Sequence, residues 1–205
     1  MTTLPNLIRT RPLAVQAAQH PVPSEGSQVL VGERPLAALT NLRLAPKAAK
    51  PLKAALGLVL PTKANTVSES DQGLRCLWLA PDEWLLIEAN GDGTALAASV
   101  TAALDGVHHS AKDLSDNYAT IRLSGIKARA VLAKLTPFDT HASLFTLGQC
   151  AQTILAKSNL ILDVISDDAA GLCLDMYMRR SFAAYVWERL IDAGLEFQVG
   201  VVGAA

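Results

Sequence analysis

The chain has 205 residues and a formal net charge of −1, from 18 lysine and arginine and 19 aspartate and glutamate residues. This balance argues against a nucleic-acid-binding protein, because such proteins carry a basic excess on one surface. No segment approaches the ~18 to 20 consecutive apolar residues that a membrane-spanning helix needs, so the sequence also argues against a membrane protein.

The composition is apolar and contains few cysteines. Hydrophobic residues make up 50% of the sequence, charged residues 18%, and the mean hydropathy is +0.26. Either the protein buries surface against partner proteins or it has an unusually large core of its own. The three cysteines are far apart and form no Cys-x-x-Cys pair. We therefore expect reduced, buried cysteines in a cytoplasmic protein rather than a zinc ribbon or a disulfide framework.

The N-terminal region, residues 1–38, contains five prolines and shows weak hydrophobic periodicity. Prolines interrupt both helices and central strands. We therefore expect an N-terminal arm followed by entry loops over 1–38. Its first twenty residues contain two arginines and no acidic residue but lack the apolar core of a signal peptide, so a transit peptide is the alternative to an arm.

From residue 39 onward, one pattern occurs twice. The segment TNLRLAPKAAKPLKAAL (40–56) aligns without a gap on ATIRLSGIKARAVLAKL (119–135), and each predicts a short strand that leads into a helix. In the second copy the helix is supported by an i, i+3, i+4, i+7 stripe of Ala128, Val131, Leu132 and Leu135.

Each copy continues into an apolar hairpin. In the first, LWLAPDEWLLIE (77–88) has Pro81 and Asp82 at its turn and is apolar on both faces of both strands. The second hairpin is predicted from 150–166 and 171–180, with period-two alternation in its second strand. A strand that is apolar on both faces must be covered on both faces. Either the second copy or a partner must therefore cover the first hairpin.

Each copy ends with a helix and a short strand. Thr94 is the predicted N-cap of the first of these helices and Ser181 that of the second. The order β-α-β-β-α-β is that of a ferredoxin-like unit, which leaves one sheet face without helices. We therefore predict an α+β fold of two ferredoxin-like units packed together, the first at 39–113 and the second at 114–205.

The sequence lacks the common nucleotide-binding and nucleophile motifs, namely G-x-G-x-x-G after a strand, G-x-x-x-x-G-K-[ST] and G-x-S-x-G. His108 and His109 are adjacent, so on a strand they point to opposite faces and cannot chelate one ion together. The cluster NGDG (90–93) is interpreted as a turn before a helix. We therefore predict no catalytic, cofactor-binding or metal-binding residue in this chain.

Arg179 and Arg180 are the candidate functional residues. They lie at the end of an apolar strand, directly before the helix predicted from Ser181, where cations oppose the helix macrodipole. An anion bound there would gain from both guanidinium groups. We therefore predict a partner interface at Arg179 and Arg180, and we add Trp78 and Trp84 because a partner is one way to cover their hairpin. The alternative is that both arginines are solvated charges.

Five segments together resemble the gamma-subunit family of heterotetrameric sarcosine oxidase. They are LWLAPDEWLL (77–86), IRLSGIKARAVLAK (121–134), PFDTH (137–141), CAQTILAK (150–157) and RRSFAAYVWERLIDAG (179–194). The order and spacing of the segments make the resemblance specific. It implies the fold of the N-terminal region of the glycine-cleavage T-protein, a folate-binding aminomethyltransferase, in agreement with the two predicted units.

The resemblance also implies a function. Enzymes of this family oxidatively demethylate sarcosine to glycine, pass the one-carbon unit to tetrahydrofolate and send electrons through FAD and FMN to oxygen; they also carry NAD and zinc. These cofactors are expected on the partners, the alpha, beta and delta subunits. This chain is then a cytoplasmic, non-catalytic subunit that binds none of them. Two alternatives stay open: a related complex that oxidises N-methylglutamate or another N-methyl amino acid, and a stand-alone aminomethyltransferase that binds folate.

Overall fold

The computed structural model describes residues 10–20 and 25–202. Parts of the predicted N-terminal arm, at 1–9 and 21–24, lie outside the described residues, as does the end of the second predicted unit at 203–205. The described chain forms two sheets with helices on the outer face of each.

The first unit is a five-stranded sheet, and a short N-terminal region precedes it. That region contains α1 (Ala14–Gln19) and β1 (Leu30–Glu33). The unit consists of β2 (Ala38–Leu44), α2 (Lys50–Leu56), β3 (Val67–Glu69), β4 (Arg75–Ala80), β5 (Glu83–Glu88), α3 (Gly93–Ala103) and β6 (His109–Asp113). A short 3-10 helix, Pro46–Ala48, precedes α2. The strand order is β3-β4-β5-β2-β6, in which β4, β5, β2 and β6 form the ferredoxin-like set and β3 extends one edge.

The second unit repeats this arrangement in a six-stranded sheet. It consists of β7 (Tyr118–Gly125), α4 (Ala128–Leu135), β8 (Cys150–Leu155), β9 (Ser158–Asp168), β10 (Gly171–Arg179), α5 (Ala183–Gly194) and β11 (Gly200–Val202). Two 3-10 helices, Arg180–Phe182 and Leu195–Phe197, flank α5. The strand order is β11-β1-β7-β10-β9-β8, so β8 extends the edge as β3 does in the first sheet. The predicted α+β fold of two ferredoxin-like units is therefore confirmed.

Strand β1 differs from the loops expected over 1–38. It pairs antiparallel with β7 and parallel with β11, so it lies inside the sheet of the second unit. Val29 and Val31 are fully buried, and a Cβ on Gly32 would lie only 3.0 Å from the Val202 carbonyl oxygen. A four-residue strand shows too little periodicity to be recognised locally. Partners about 90 and 170 residues away in sequence hold it in place.

Each sheet packs its helices on one face. In the first unit Trp84, Leu86 and Cys76 point toward α2 and α3 and lie in one apolar cluster with Leu96 and Val100. In the second unit the corresponding cluster holds Met176 and Met178 of β10 with Val131 of α4 and with Val186 and Trp187 of α5. The alternation predicted for the second hairpin is thus confirmed, because its methionines face the helices.

The inner faces of the two sheets pack against each other. This inter-sheet layer consists of Leu39, Leu77, Leu85 and Ile87 from the first sheet with Cys150, Ile161 and Tyr177 from the second, all at most 6% exposed. The first hairpin is therefore covered on its helix side by α2 and α3 and on its other side by the second unit. Of the two ways to cover it, the structure shows the one in which the chain covers its own hairpin.

The helices begin at other residues than the sequence indicated. The N-cap of α3 is Asp92, whose carboxylate accepts a hydrogen bond from the Ala95 N–H at 2.8 Å, rather than Thr94. Helix α5 begins after Phe182 and has no side-chain cap, because Ser181 lies inside a 3-10 turn. Among the described residues, no helix is long and apolar enough to cross a membrane.

Candidate partner interface and the clefts between the sheets

Two clefts open on either side of the inter-sheet layer, and Tyr177 lines both. The first, which we call the Arg179 cleft, has a volume of about 830 Å³ and is lined by Lys112, Lys157 and Arg179 among others. The second, the Arg75 cleft, has a volume of about 420 Å³. Tyr177 itself is buried between them, and this burial raises its pKa well above the usual value. Both clefts lie at the junction of the two units, where ligands and partners commonly bind.

Two of the three arginines that line the Arg75 cleft, Arg75 and Arg122, are engaged with carboxylates of the chain itself. Arg75 of the first unit donates from Nη2 to Asp163 Oδ1 at 2.7 Å and from Nε to Oδ2 at 3.1 Å, which ties the two units together. Its Nη1 also donates to Glu69 at 2.6 Å. Within the second sheet, Arg122 makes two hydrogen bonds of 2.7 Å to the carboxylate of Asp175. Paired guanidinium–carboxylate contacts of this kind fix geometry as well as adding energy.

Burial controls the protonation of this network. It raises the pKa of Asp163 to about 6, although Arg75 acts in the opposite direction. Burial alone would lower the pKa of Arg75, but the hydrogen bonds and charges of Asp163 and Glu69 raise it above its ordinary value. The pair is therefore charged at neutral pH, and Asp163 is the partner that is costly to ionise, because its side chain is fully buried.

The charges of the Arg179 cleft are arranged differently. Arg179 is exposed, and its guanidinium carbon lies 5.2 Å from the centre of the Tyr118 ring, a cation–π contact. Lys112 on β6 and Lys157 in the turn between β8 and β9 are also exposed. Glu83 is the one acidic residue among those that line this cleft in the described chain. The cleft therefore carries a net positive charge.

The four residues predicted for the partner interface have different environments. Trp84 is fully buried in the core of the first unit, and its indole N–H donates to the Pro61 carbonyl at 2.8 Å. Its burial leaves no surface for a partner, because α2 and α3 cover that face of the hairpin. Trp78 is half-buried against the same cluster. Arg180 donates to both the carbonyl and the hydroxyl of Thr10, so it holds the N-terminal segment.

Of the four predicted interface residues, Arg179 is thus the one that lines an open cleft. Lys112 and Lys157 line the same cleft, but the sequence did not indicate them as interface residues. Lys112 and Lys157 lie 45 positions apart, one in each of the two predicted units. Only the face-to-face packing of the two sheets brings them to the same cleft. No group of three or more His, Cys, Asp or Glu side chains that could hold a metal ion occurs within residues 10–20 and 25–202.

The chain is similar to characterised proteins over most of its length. A model of the sarcosine oxidase gamma subunit family matches residues 43–196. The sarcosine oxidase subunit gamma of Arthrobacter sp. is 35% identical over 176 residues, which cover 85% of this chain and 84% of the relative. That of Corynebacterium sp. strain P-1 is 35% identical over 146 residues, or 71% of this chain and 69% of the relative.

Two solved structures are similar to the whole fold. The first is a chain of the heterotetrameric sarcosine oxidase from Corynebacterium sp. U-96 in complex with pyrrole 2-carboxylate, with a TM-score of 0.81 and 30% identity. The match covers 93% of this chain and 96% of that chain. The second is the glycine cleavage system aminomethyltransferase T from Bartonella henselae, with a TM-score of 0.63 and 16% identity over 93% of this chain and 50% of that one. The second likeness concerns the fold alone and confirms the predicted T-protein-like architecture.

Proposed function

This chain belongs to the sarcosine oxidase gamma subunit family, and from that membership we propose that it is the gamma subunit of a heterotetrameric sarcosine oxidase. The observation that carries the proposal is the likeness to one chain of a solved sarcosine oxidase heterotetramer, which extends over 96% of that chain. A match of nearly full length leaves little of the relative without a counterpart here.

In this proposal the assembled enzyme oxidatively demethylates sarcosine to glycine and transfers the one-carbon unit to tetrahydrofolate. FAD, FMN, NAD, tetrahydrofolate and zinc are bound by the alpha, beta and delta subunits. This assignment is supported by the sequence, in which no strand is followed by G-x-G-x-x-G and no P-loop motif occurs. The described residues offer a zinc ion no group of three His, Cys, Asp or Glu ligands, so we assign the zinc to a partner chain.

The role of this chain is then structural. Its charged network supports such a role, because Arg75 and Asp163 join the two units and Arg122 and Asp175 pair two neighbouring strands. All four side chains are at most partly exposed, and they form two hydrogen-bonded ion pairs. Such pairs favour a structural role over acid–base catalysis.

Co-expression with the genes adjacent to its own tests this function. An affinity tag on this chain should retain three other kinds of chain. The eluate should show flavin absorbance, and it should oxidise sarcosine faster than N-methylglutamate. Omission of this chain should reduce both the yield and the activity of the complex, and adding the purified chain back should restore them. The proposal is contradicted if the tagged chain elutes alone, or if the isolated chain itself binds flavin in stoichiometric amount.

A further inference from the structure

The two clefts differ in how their charges are compensated. In the Arg75 cleft, Arg75 and Arg122 each make paired hydrogen bonds to a carboxylate of the chain itself. In the Arg179 cleft, Lys112, Lys157 and Arg179 form no salt bridge with a described carboxylate. Two of the three arginines that line the Arg75 cleft, all but Arg34, are thus paired with carboxylates of the chain itself, whereas none of the three cations of the Arg179 cleft is paired with a described carboxylate.

Glu83, the one carboxylate among the described residues that line the Arg179 cleft, is already engaged. Glu83 accepts a hydrogen bond from Asn41 Nδ2 at 2.8 Å and lies 3.8 Å from the Nε atom of Arg43, on the same sheet. Glu83 therefore has partners on its own sheet, and it forms no salt bridge with Lys112 or Lys157. The three cations come from β6, from the β8–β9 turn and from the end of β10, so they surround the cleft from both units.

The same cleft exposes apolar surface and borders a sheet edge. Ile154 is 48% exposed and Phe182 is 45% exposed, and both line the cleft. Ile154 belongs to β8, which is the edge strand of the six-stranded sheet. Edge strands present main-chain groups to which an extended segment of another chain can add. Apolar side chains surrounded by charged residues are also typical of protein–protein interfaces.

We propose that the Arg179 cleft is the docking site of an acidic, extended segment of a partner subunit. This inference rests on the proposed function, since it requires a partner within the complex. Aspartate or glutamate side chains of the segment pair with Lys112, Lys157 and Arg179, and an apolar side chain packs on Ile154 and Phe182. A small anion would meet the cations but would leave the apolar rim exposed to water, which is why a polypeptide fits this surface better.

Charge reversal in the assembled complex tests the inference. The double variant Lys112→Glu with Lys157→Glu should bind its partners about tenfold or more weakly at about 0.15 M salt, with a smaller difference at about 0.5 M. The matched control is Lys53→Glu with Lys63→Glu, which changes the net charge equally at exposed positions outside the cleft. The control should assemble as the wild type does.

A photo-crosslinker identifies the occupant. Phe182→p-benzoylphenylalanine keeps an aromatic ring at the cleft, and in the complex it should crosslink to a partner peptide rich in aspartate and glutamate. Crosslinks to a neutral or basic peptide, or only to this chain, would overturn the inference, as would equal assembly of the cleft variant and the control. A wild-type chain that retains no partner at all contradicts the proposed function as well, so the two failures are distinguishable.

Discussion

Replacing Leu85 with alanine should destabilise both units of the chain at once. Leu85 is 1% exposed and lies in the inter-sheet layer between the two sheets. Removing three buried carbons costs about 2.4 kcal/mol, at about 0.8 kcal/mol each. The cavity that remains raises the expected loss to about 3 to 4 kcal/mol, because neighbours from two rigid sheets cannot collapse completely into it.

Urea unfolding of the purified chain measures this loss, and hydrogen exchange followed by mass spectrometry locates it. Peptides of β5 and of β9 should lose protection together, because the layer contains residues of both strands. Leu147→Ala is the matched control, since Leu147 is 61% exposed and should change stability by less than about 0.5 kcal/mol. The reasoning is refuted if Leu85→Ala costs no more than the control, or if only the first unit loses protection.

Three further predictions concern single side chains. Burial raises the pKa of Asp163 from 3.8 to about 6, so the folded chain holds this proton more tightly than the unfolded chain does. The resulting stabilisation is complete only well below pH 4, where the carboxyl is protonated in both states, and it is lost as the pH rises through 6. Relative to Asp163→Asn, the wild type should lose about 2 kcal/mol between pH 4 and 7. A constant difference between the two in urea titrations would contradict this. Arg180→Ala removes the hydrogen bonds to Thr10 and should speed limited proteolysis near residues 10–20 without changing the overall unfolding midpoint; an unchanged cleavage rate would show that these bonds do not hold the segment. Asp92→Ala removes the cap bond to the Ala95 N–H and should cost about 1 kcal/mol, whereas a loss below about 0.3 kcal/mol in the same assay would mean that water caps α3 equally well.

The repeated architecture could be read from the sequence because it depends on local patterns. Period-two alternation places the residues of β10 on opposite faces, and the structure confirms this for Met176 and Tyr177. The doubly apolar first hairpin also indicated that both its faces are covered. Nothing local distinguishes a covering partner from a covering second unit, so the inter-sheet layer became known only from the structure.

The parts that sequence could not predict depend on contacts between distant residues. Strand β1 is held by neighbours from the second unit, and Asp163 meets Arg75 from 88 positions away. The role of Arg180 was predicted from its position before a helix, but the N-terminal segment at Thr10 supplies its partner atoms. Trp84 was grouped with the interface because its hairpin needed a cover, and that cover is α2 and α3 of its own unit.

Native mass spectrometry of the complex purified through this chain tests the central claim most directly. The account predicts one assembly of four different chains that contains a single copy of this 21.7 kDa subunit. It also predicts that the subunit with Lys112→Glu and Lys157→Glu dissociates from the complex at a lower salt concentration than the wild-type subunit does. The account would be contradicted if this chain were found only as a monomer or as a homo-oligomer although the other subunits were present in the same sample.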